Sequence, residues 1–309
     1  MSVRPDEVRT DAALVRQLLR RQFPQWARLP IVAAEAFGTD NATYRLGQDK
    51  LVRLPRQPVK EPQVAKEQRW LPVLAPRLPL AVPVPLGLGR PAGDYPFHWS
   101  VYPWLAGENP TFDTMADRDG TARDLAQFLA ALHRIDPAGG PVPDASNSFR
   151  GVPMGDGRQS VARDADVRAR IAALDGHVDT AALTAVWEAA LAAGPAWDGR
   201  PRWIHGDLTP GNLLAVRGRL TGVIDFGCSA VGDPACDLAV AWTFLTGPSR
   251  AVFRAALGVD EATWARGRGW GMATTLPSPA VFEAAADPGR AARARRLIDD
   301  FIADHQQDR

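Results

Sequence analysis

Cysteine and lysine are both scarce in this chain. Two cysteines, Cys228 and Cys236, occur in 309 residues. That number excludes a disulfide framework or a cysteine-based metal cluster, and both read as small packing residues in a reducing compartment. Lysine occurs only at Lys50, Lys60 and Lys66, so arginine supplies nearly all the positive charge. Arg, Asp or Pro interrupts every apolar stretch within about ten residues, well short of the ~20 that span a bilayer. No basic run is interleaved with aromatics, which excludes that type of nucleic-acid module, and no internal repeat is visible. The opening stretch MSVRPDEVRTDAALVRQLLRRQF is charged throughout and has no signal-peptide core. A cytoplasmic protein is the expectation.

What is present is a globular composition, 46% hydrophobic and 23% charged, at a length that accommodates two lobes. The net charge of +1 hides an asymmetry. Residues 1–101 hold 15 basic and 9 acidic side chains; residues 102–309 hold 21 and 26. A basic first part suits a polyphosphate, and an acidic second part suits a cationic acceptor.

The chain is organised around Ile204 to Gly227, IHGDLTPGNLLAVRGRLTGVIDFG. Pro210-Gly211 forces a turn between Asp207 and Asn212. Leu213 to Val216 and Leu220 to Ile224 read as two short strands joined by Arg217-Gly218-Arg219. A hairpin returns Asn212 and Asp225 to one edge, where hard oxygen donors suit Mg²⁺ better than a soft metal. The spacing His205-x-Asp207-x-x-x-x-Asn212 matches the catalytic loop of kinases, whose Asp receives the acceptor proton and whose Asn holds magnesium. Asp225-Phe226-Gly227 matches the element whose Asp binds the metal bridging the phosphates. Singly, Asp207 and Asn212 read equally well as turn caps and Asp225 as a surface carboxylate; it is the ordered set that carries the reading.

Upstream, residues 5–23 have helical periodicity. Three strands follow at 31–37, 42–46 and 51–54, with a turn at 37–41 whose Gly38, Thr39, Asp40 and Asn41 are placed to cover nucleotide phosphates. In Leu51-Val52-Arg53-Leu54, Arg53 is the inward cation, able to clamp phosphate oxygens, with Val52 and Leu54 on the opposite face. A helix beginning after Pro62 carries Glu67, the candidate partner of Arg53; Glu61, on a loop before the proline, is the alternative. The aromatic strand Phe97 to Trp104 runs into a break at Ala106-Gly107, and a hinge there sets Tyr102 and Trp104 against the base.

The second part reads as helical. Residues 121–136 place Leu125, Phe128, Leu129 and Leu132 on one face, a buried central helix, with His133 a structural histidine. A long loop spans 137–160, and helices are expected at 161–175, 180–193 and 236–246. From 249 to 309 the chain is helical with breaks at 258, 267–271, 277–279 and 288–289. Trp264, Trp270 and Phe282 are either core residues or the wall of an apolar acceptor pocket. The fold class is α+β and two-lobed, with residues 1–101 a β-rich nucleotide-binding lobe, 102–107 a hinge, and 108–309 a mainly helical catalytic and acceptor-binding lobe.

With FGTDNATYRL (37–46), LVRLPR (51–56), the Glu67 helix, WIHGDLTPGNLL (203–214) and GVIDFGCSAVGDPACDLA (222–239) in hand, the chain resembles the aminoglycoside phosphotransferase family of antibiotic kinases. The resemblance runs through nearly the whole chain and implies a protein-kinase-like fold. It implies Asp207 as catalytic base, Asn212 and Asp225 as Mg²⁺ ligands, and Arg53 and Glu67 as the phosphate-binding pair. His205, Asp233 and Asp237 become supports of the catalytic loop. The donor implied is ATP or GTP, and the acceptor a small hydroxylated molecule, an aminoglycoside first and a macrolide or other metabolite second. Asp156, Glu283 and Asp287 are the candidate ammonium contacts. A nucleotide-binding module without turnover is the reading from a different class. Arg53 stands where most of the family has Lys, which leaves nucleotide affinity and choice open. No protein or nucleic-acid partner and no membrane is implied.

Overall fold

A computed structural model of the chain describes residues 7–34, 40–154, 162–194, 199–283 and 287–308. The first helix, α1 (Ala12–Gln22), is shorter than its periodicity predicts because Asp11 caps it, its carboxylate accepting the Leu14 N–H at 2.7 Å. Strands β1 (Ile31–Ala33), β2 (Asn41–Leu46) and β3 (Lys50–Pro55) come next. After them come helix α2 (Glu61–Leu74), β4 (Gly87–Gly89) and β5 (Trp99–Pro103). The five strands form one antiparallel sheet in the order β1-β2-β3-β5-β4.

The period of two in β3 decides what each face does. Val52 and Leu54 face α1 and enter a core with Val15, Leu18, Leu19, Trp99 and Val101. Arg53, paired across the ladder with Thr43 and Ser100, faces the other way. Helix α2 starts at Glu61, one residue before the proline expected to precede it. Pro62 sits in the first turn, where a missing N–H costs nothing. Glu61 is therefore helical, and its carboxylate accepts the His98 N–H at 3.1 Å instead of meeting Arg53.

The second lobe is built on α3 (Arg118–Arg134), capped by Asp117, whose Leu125, Phe128, Leu129 and Leu132 are fully buried. Helices α4 (Asp164–Ala172) and α5 (Thr180–Ala192) follow. Next come β6 (Arg202–Ile204), the hairpin β7 (Leu213–Val216) and β8 (Arg219–Val223), and β9 (Ala230–Gly232), which pairs with β6. The hairpin turn is two residues, Arg217 and Gly218, both at positive φ, the geometry that matches the twist of the flanking strands.

The expected helix at 236–246 is instead a 3-10 turn, Pro234–Ala239, followed by the single turn α6 (Val240–Thr243). The remaining helices are α7 (Gly247–Leu257), α8 (Glu261–Thr275), α9 (Ala280–Glu283) and α10 (Pro288–Gln307). One expected break is absent. Gly267, Gly269 and Gly271 lie within α8, where a Cβ on Gly267 would come within 2.6 Å of the Leu238 side chain. Helix packing, not a turn, selects glycine there. Pro288 opens α10. Trp264 and Trp270 are core residues, and Phe282 stacks on His177. No described helix is long and apolar enough to cross a membrane.

Candidate active site

The turn after β6 is built around Gly206. Its φ is +81°, and a Cβ there would lie 2.4 Å from the Cys228 carbonyl oxygen. Only glycine fits. Asp237 holds this turn from below, its two carboxylate oxygens accepting the N–H groups of His205 and Gly206, each at 2.7 Å. Burial pushes the Asp237 carboxyl above the usual carboxylate range, against the opposing pull of His205 and the two N–H donors. His205, fully buried, accepts the Asp207 N–H at Nδ1 (3.2 Å), and its Nε2 then donates to the Ile224 carbonyl at 3.0 Å. The imidazole thus spans the catalytic-loop match and the strand leading to Asp225, with its ring edge-on to Phe226. Asp233, also fully buried, caps the 3-10 turn and pairs with Arg266 at 3.0 Å.

The hairpin closes as its sequence predicts. Ile224 N–H donates to the Asn212 carbonyl at 2.9 Å, which sets Asn212 beside the start of Asp225-Phe226-Gly227. Asn212 Nδ2 donates to the Asp207 carbonyl (2.7 Å) and to Asp207 Oδ2 (3.2 Å). Asp225 adopts a left-handed conformation, φ 63° and ψ 64°, a strained state for a residue with a Cβ. Burial would raise the Asp225 carboxyl, but the Arg53 charge and hydrogen bond, with His205 and the Gly227 N–H, hold it below its ordinary range. It is ionised at neutral pH.

From the first lobe, Arg53 reaches into the same place. Its Nη1 donates to Glu67 Oε1 and Oε2 at 2.8 and 3.0 Å, and its Nη2 contacts Asp225. Tyr102 donates its hydroxyl to Glu67 Oε2 at 2.5 Å. Tyr102 therefore lines the cleft but commits its polar end to the Arg53–Glu67 pair. Trp104 also lines the cleft; its backbone N–H donates to the Asp49 carbonyl, and its ring carries the Arg45 guanidinium at 4.4 Å. Asp40 pairs with Lys60 at 2.8 Å, and the Asn41 side-chain amide lies 2.9 Å from Arg53 Nη2. Gly38 and Thr39 lie outside the described residues.

These groups share one cleft of about 360 Å³, lined by Arg53, Glu67, Asp207, Asn212 and Asp225 on its polar side. Leu51, Leu105, Leu214 and Ile224 are among its apolar walls. The size and the mixed lining are those of a small-molecule site. Of the candidate acceptor contacts, Glu283 and Asp287 do not join it. Asp287 caps α10, accepting the Arg290 N–H at 2.8 Å, and Glu283 stands 3.8 Å from His177. Asp156 lies outside the described residues.

One residue at the site carries no sequence signal. Arg150, in the loop read only as a long connection, places Nη2 3.2 Å from Asp207 Oδ1 and Nη1 3.1 Å from Cys228 Sγ. Burial pushes the Cys228 thiol up to about 11, so the sulfur is a neutral partner.

Residues 34–270 match the model of the phosphotransferase enzyme family. An uncharacterized protein of Bacillus subtilis (strain 168), YcbJ, is 27% identical over 161 residues, 52% of this chain and 47% of that one. The chain thus spans about half the length of this curated relative. The structure of the GDP complex of wild-type aminoglycoside 2'-phosphotransferase-IIIa superposes with a TM-score of 0.68 at 20% identity, over 96% of this chain and all of that one. The macrolide 2'-phosphotransferase MphH of Brachybacterium faecium gives 0.57 at 25% identity, over 94% and 97%. The two-lobed fold read from the sequence is the fold of these enzymes.

Proposed function

The chain belongs to the phosphotransferase enzyme family, and from that premise we propose that it moves the γ-phosphoryl group of ATP or GTP to a hydroxyl of an aminoglycoside-like acceptor. The observation that carries this reading is the convergence of Arg53, Glu67, Asp207, Asn212 and Asp225 on one cleft from both sides of the β5 segment. Phosphoryl transfer demands positioning and charge stabilisation more than covalent chemistry. Arg53, held by Glu67, supplies a fixed positive charge for phosphate oxygens. Asp207 orients the acceptor hydroxyl and takes its proton. Residues 1–101 serve the nucleotide, 102–107 act as the hinge, and 108–309 carry catalysis and the acceptor; we place the protein in the cytoplasm.

The donor set fits Mg²⁺. Asn212 Nδ2 is committed to Asp207, which reserves Oδ1 for a ligand, and Asp225 is an ionised carboxylate at the same edge. Two hard oxygen donors suit an ion that keeps several waters and completes its shell with phosphates. Bound there, the ion would neutralise phosphate charge.

A macrolide acceptor is the second reading, favoured by the higher identity to MphH, 25% against 20%. Purified protein assayed with ATP and GTP separately, with Mg²⁺, across aminoglycosides, macrolides and hydroxylated metabolites decides between them, with Asp207→Asn as the blank. Acceptor-dependent turnover, lost by about 10²-fold or more in the blank, establishes the reaction and names the acceptor class. Nucleotide binding without turnover on any acceptor replaces this reading with that of a binding module.

A further inference from the structure

The loop between α3 and α4 contains unusual backbone. Ser148 (φ 56°) and Phe149 (φ 53°) are successive non-glycine residues in the left-handed region, and Gly151 follows at 86°. A non-glycine residue in this region is strained and persists only where its surroundings enforce it. Here they do. Asn147 is fully buried; its Nδ2 donates to the carbonyls of Arg150 (3.1 Å) and Cys228 (3.2 Å), and its Oδ1 accepts the Asp144 N–H at 3.0 Å. Phe149 N–H donates to the Asp144 carbonyl at 2.9 Å, and the Gly151 carbonyl accepts the Asp233 N–H at 2.7 Å. The first lobe grips the same loop, since Gln63 Nε2 and Lys60 Nζ, both from the region of α2, donate to the Ser146 carbonyl at 2.8 and 3.3 Å.

This strain presents one side chain. Arg150 is largely buried, with Nη2 on Asp207 and Nη1 on Cys228, while its buried Nε has no hydrogen-bond partner among the described residues. A permanently charged group with an unsatisfied N–H is a costly way to fill space. Among the described residues, its one ion pair is with Asp207 Oδ1, opposite the Oδ2 held by Asn212. An ion-pair contact on one oxygen and a hydrogen bond on the other bracket the carboxylate. Each oxygen keeps a second lone pair for an acceptor hydroxyl.

We infer that Arg150 is a positioning residue for Asp207, held out by the strained Ser148–Gly151 loop and seated on Cys228. The inference rests on the reading of Asp207 as the group that receives the acceptor proton. Because α2 carries Glu67 together with Gln63, which grips Ser146, the same loop ties the nucleotide-side ion pair to the orientation of Asp207.

The test compares Arg150→Met, Arg150→Lys, Asp207→Asn and the Arg150→Met/Asp207→Asn double variant in the full chain. Turnover is measured with the acceptor that the wild type uses best. Arg150→Met is expected to lower kcat by roughly 10–100-fold, the scale of an ångström-level misplacement, with the nucleotide KM within about threefold of wild type. Arg150→Lys should recover several-fold of that loss. In the Asp207→Asn background, Arg150→Met should cost nothing more. A kcat within about twofold of wild type for Arg150→Met, or an equal fall in both backgrounds, overturns the inference.

Thermal melting of the same four proteins supplies a second readout. The double variant should lose less than the sum of the two single losses; additive losses overturn the inference. A wild type that turns over no acceptor defeats the phosphotransfer reading alone, and the melting cycle still decides the Arg150–Asp207 link.

Discussion

Asp237 clasps the backbone of His205 and Gly206 with one carboxylate, Oδ2 on the first N–H and Oδ1 on the second, both at 2.7 Å. The clasp lies in the core, and it sets the path of the chain into Asp207. Replacement by Asn keeps the shape but turns an NH₂ toward one of the two N–H donors. Leaving a buried N–H without its acceptor costs about 1–3 kcal/mol. Asp237→Asn should therefore lose about 1–3 kcal/mol in urea unfolding, and kcat should fall well over tenfold because the loop that aims Asp207 is released. Unchanged unfolding with normal turnover would show that the clasp is dispensable.

Gly206 offers a sharper version of the same test. Left-handed backbone costs a residue with a Cβ about 1–2 kcal/mol, and here the new Cβ would also lie 2.4 Å from a backbone oxygen. Gly258 has a similar φ, +68°, and a Cβ added there would meet nothing within 4 Å. Gly258→Ala should cost about 1 kcal/mol, and Gly206→Ala clearly more, together with most of the activity. Equal losses in urea unfolding would mean that the close approach to Cys228 relaxes freely.

His133 gives the fold a pH dependence. Burial, with the Arg202 charge, lowers its pKa from the usual 6.5 to about 4, and its buried Nε2 has no partner among the described residues. Between those values the unfolded chain binds the proton that the folded one refuses. Stability is complete above about pH 6.5 and is lost as pH falls toward 4, with a limiting slope of about 1.4 kcal/mol per pH unit. His133→Gln should remove that contribution. Urea midpoints at pH 4.5, 5.5 and 7 read it directly, and identical pH profiles for the two proteins would contradict the assignment.

The sequence was most legible where chemistry and local geometry coincide. The two-residue turn at Arg217-Gly218 makes a hairpin, and a hairpin must bring Asn212 and Asp225 to one edge; the period of two in β3 must turn Arg53 away from Val52 and Leu54. What escaped depends on distant partners. Arg150 reaches Asp207 from a loop without periodicity, whose backbone is held by the buried Asn147 and by Asp144 and Asp233. The Tyr102 hydroxyl goes to Glu67 because α2 packs behind β5, which no property of the β5 segment reveals. Asp287 did carry a local signal. Asp followed by Pro288 is a helix start, and the carboxylate accepts the Arg290 N–H as such a cap does.

Arg53 in place of a lysine has a geometric reason in this structure. Its guanidinium spans two carboxylates, with Nη1 on Glu67 and Nη2 on Asp225, and Tyr102 closes the far side of Glu67. A lysine ammonium is a single point of charge and cannot reproduce a fork that reaches two separated partners. Arg53→Lys should keep the charge and the fold, yet raise the nucleotide KM by about 3–10-fold, with a smaller fall in kcat. Arg53→Met leaves Glu67 buried against Tyr102 with no cation. It should abolish nucleotide-induced thermal stabilisation and lower the melting midpoint itself. Titrating ATP and GTP against all three proteins by thermal shift separates these outcomes. If the lysine variant matches wild type with both nucleotides, the fork is not what selects arginine here.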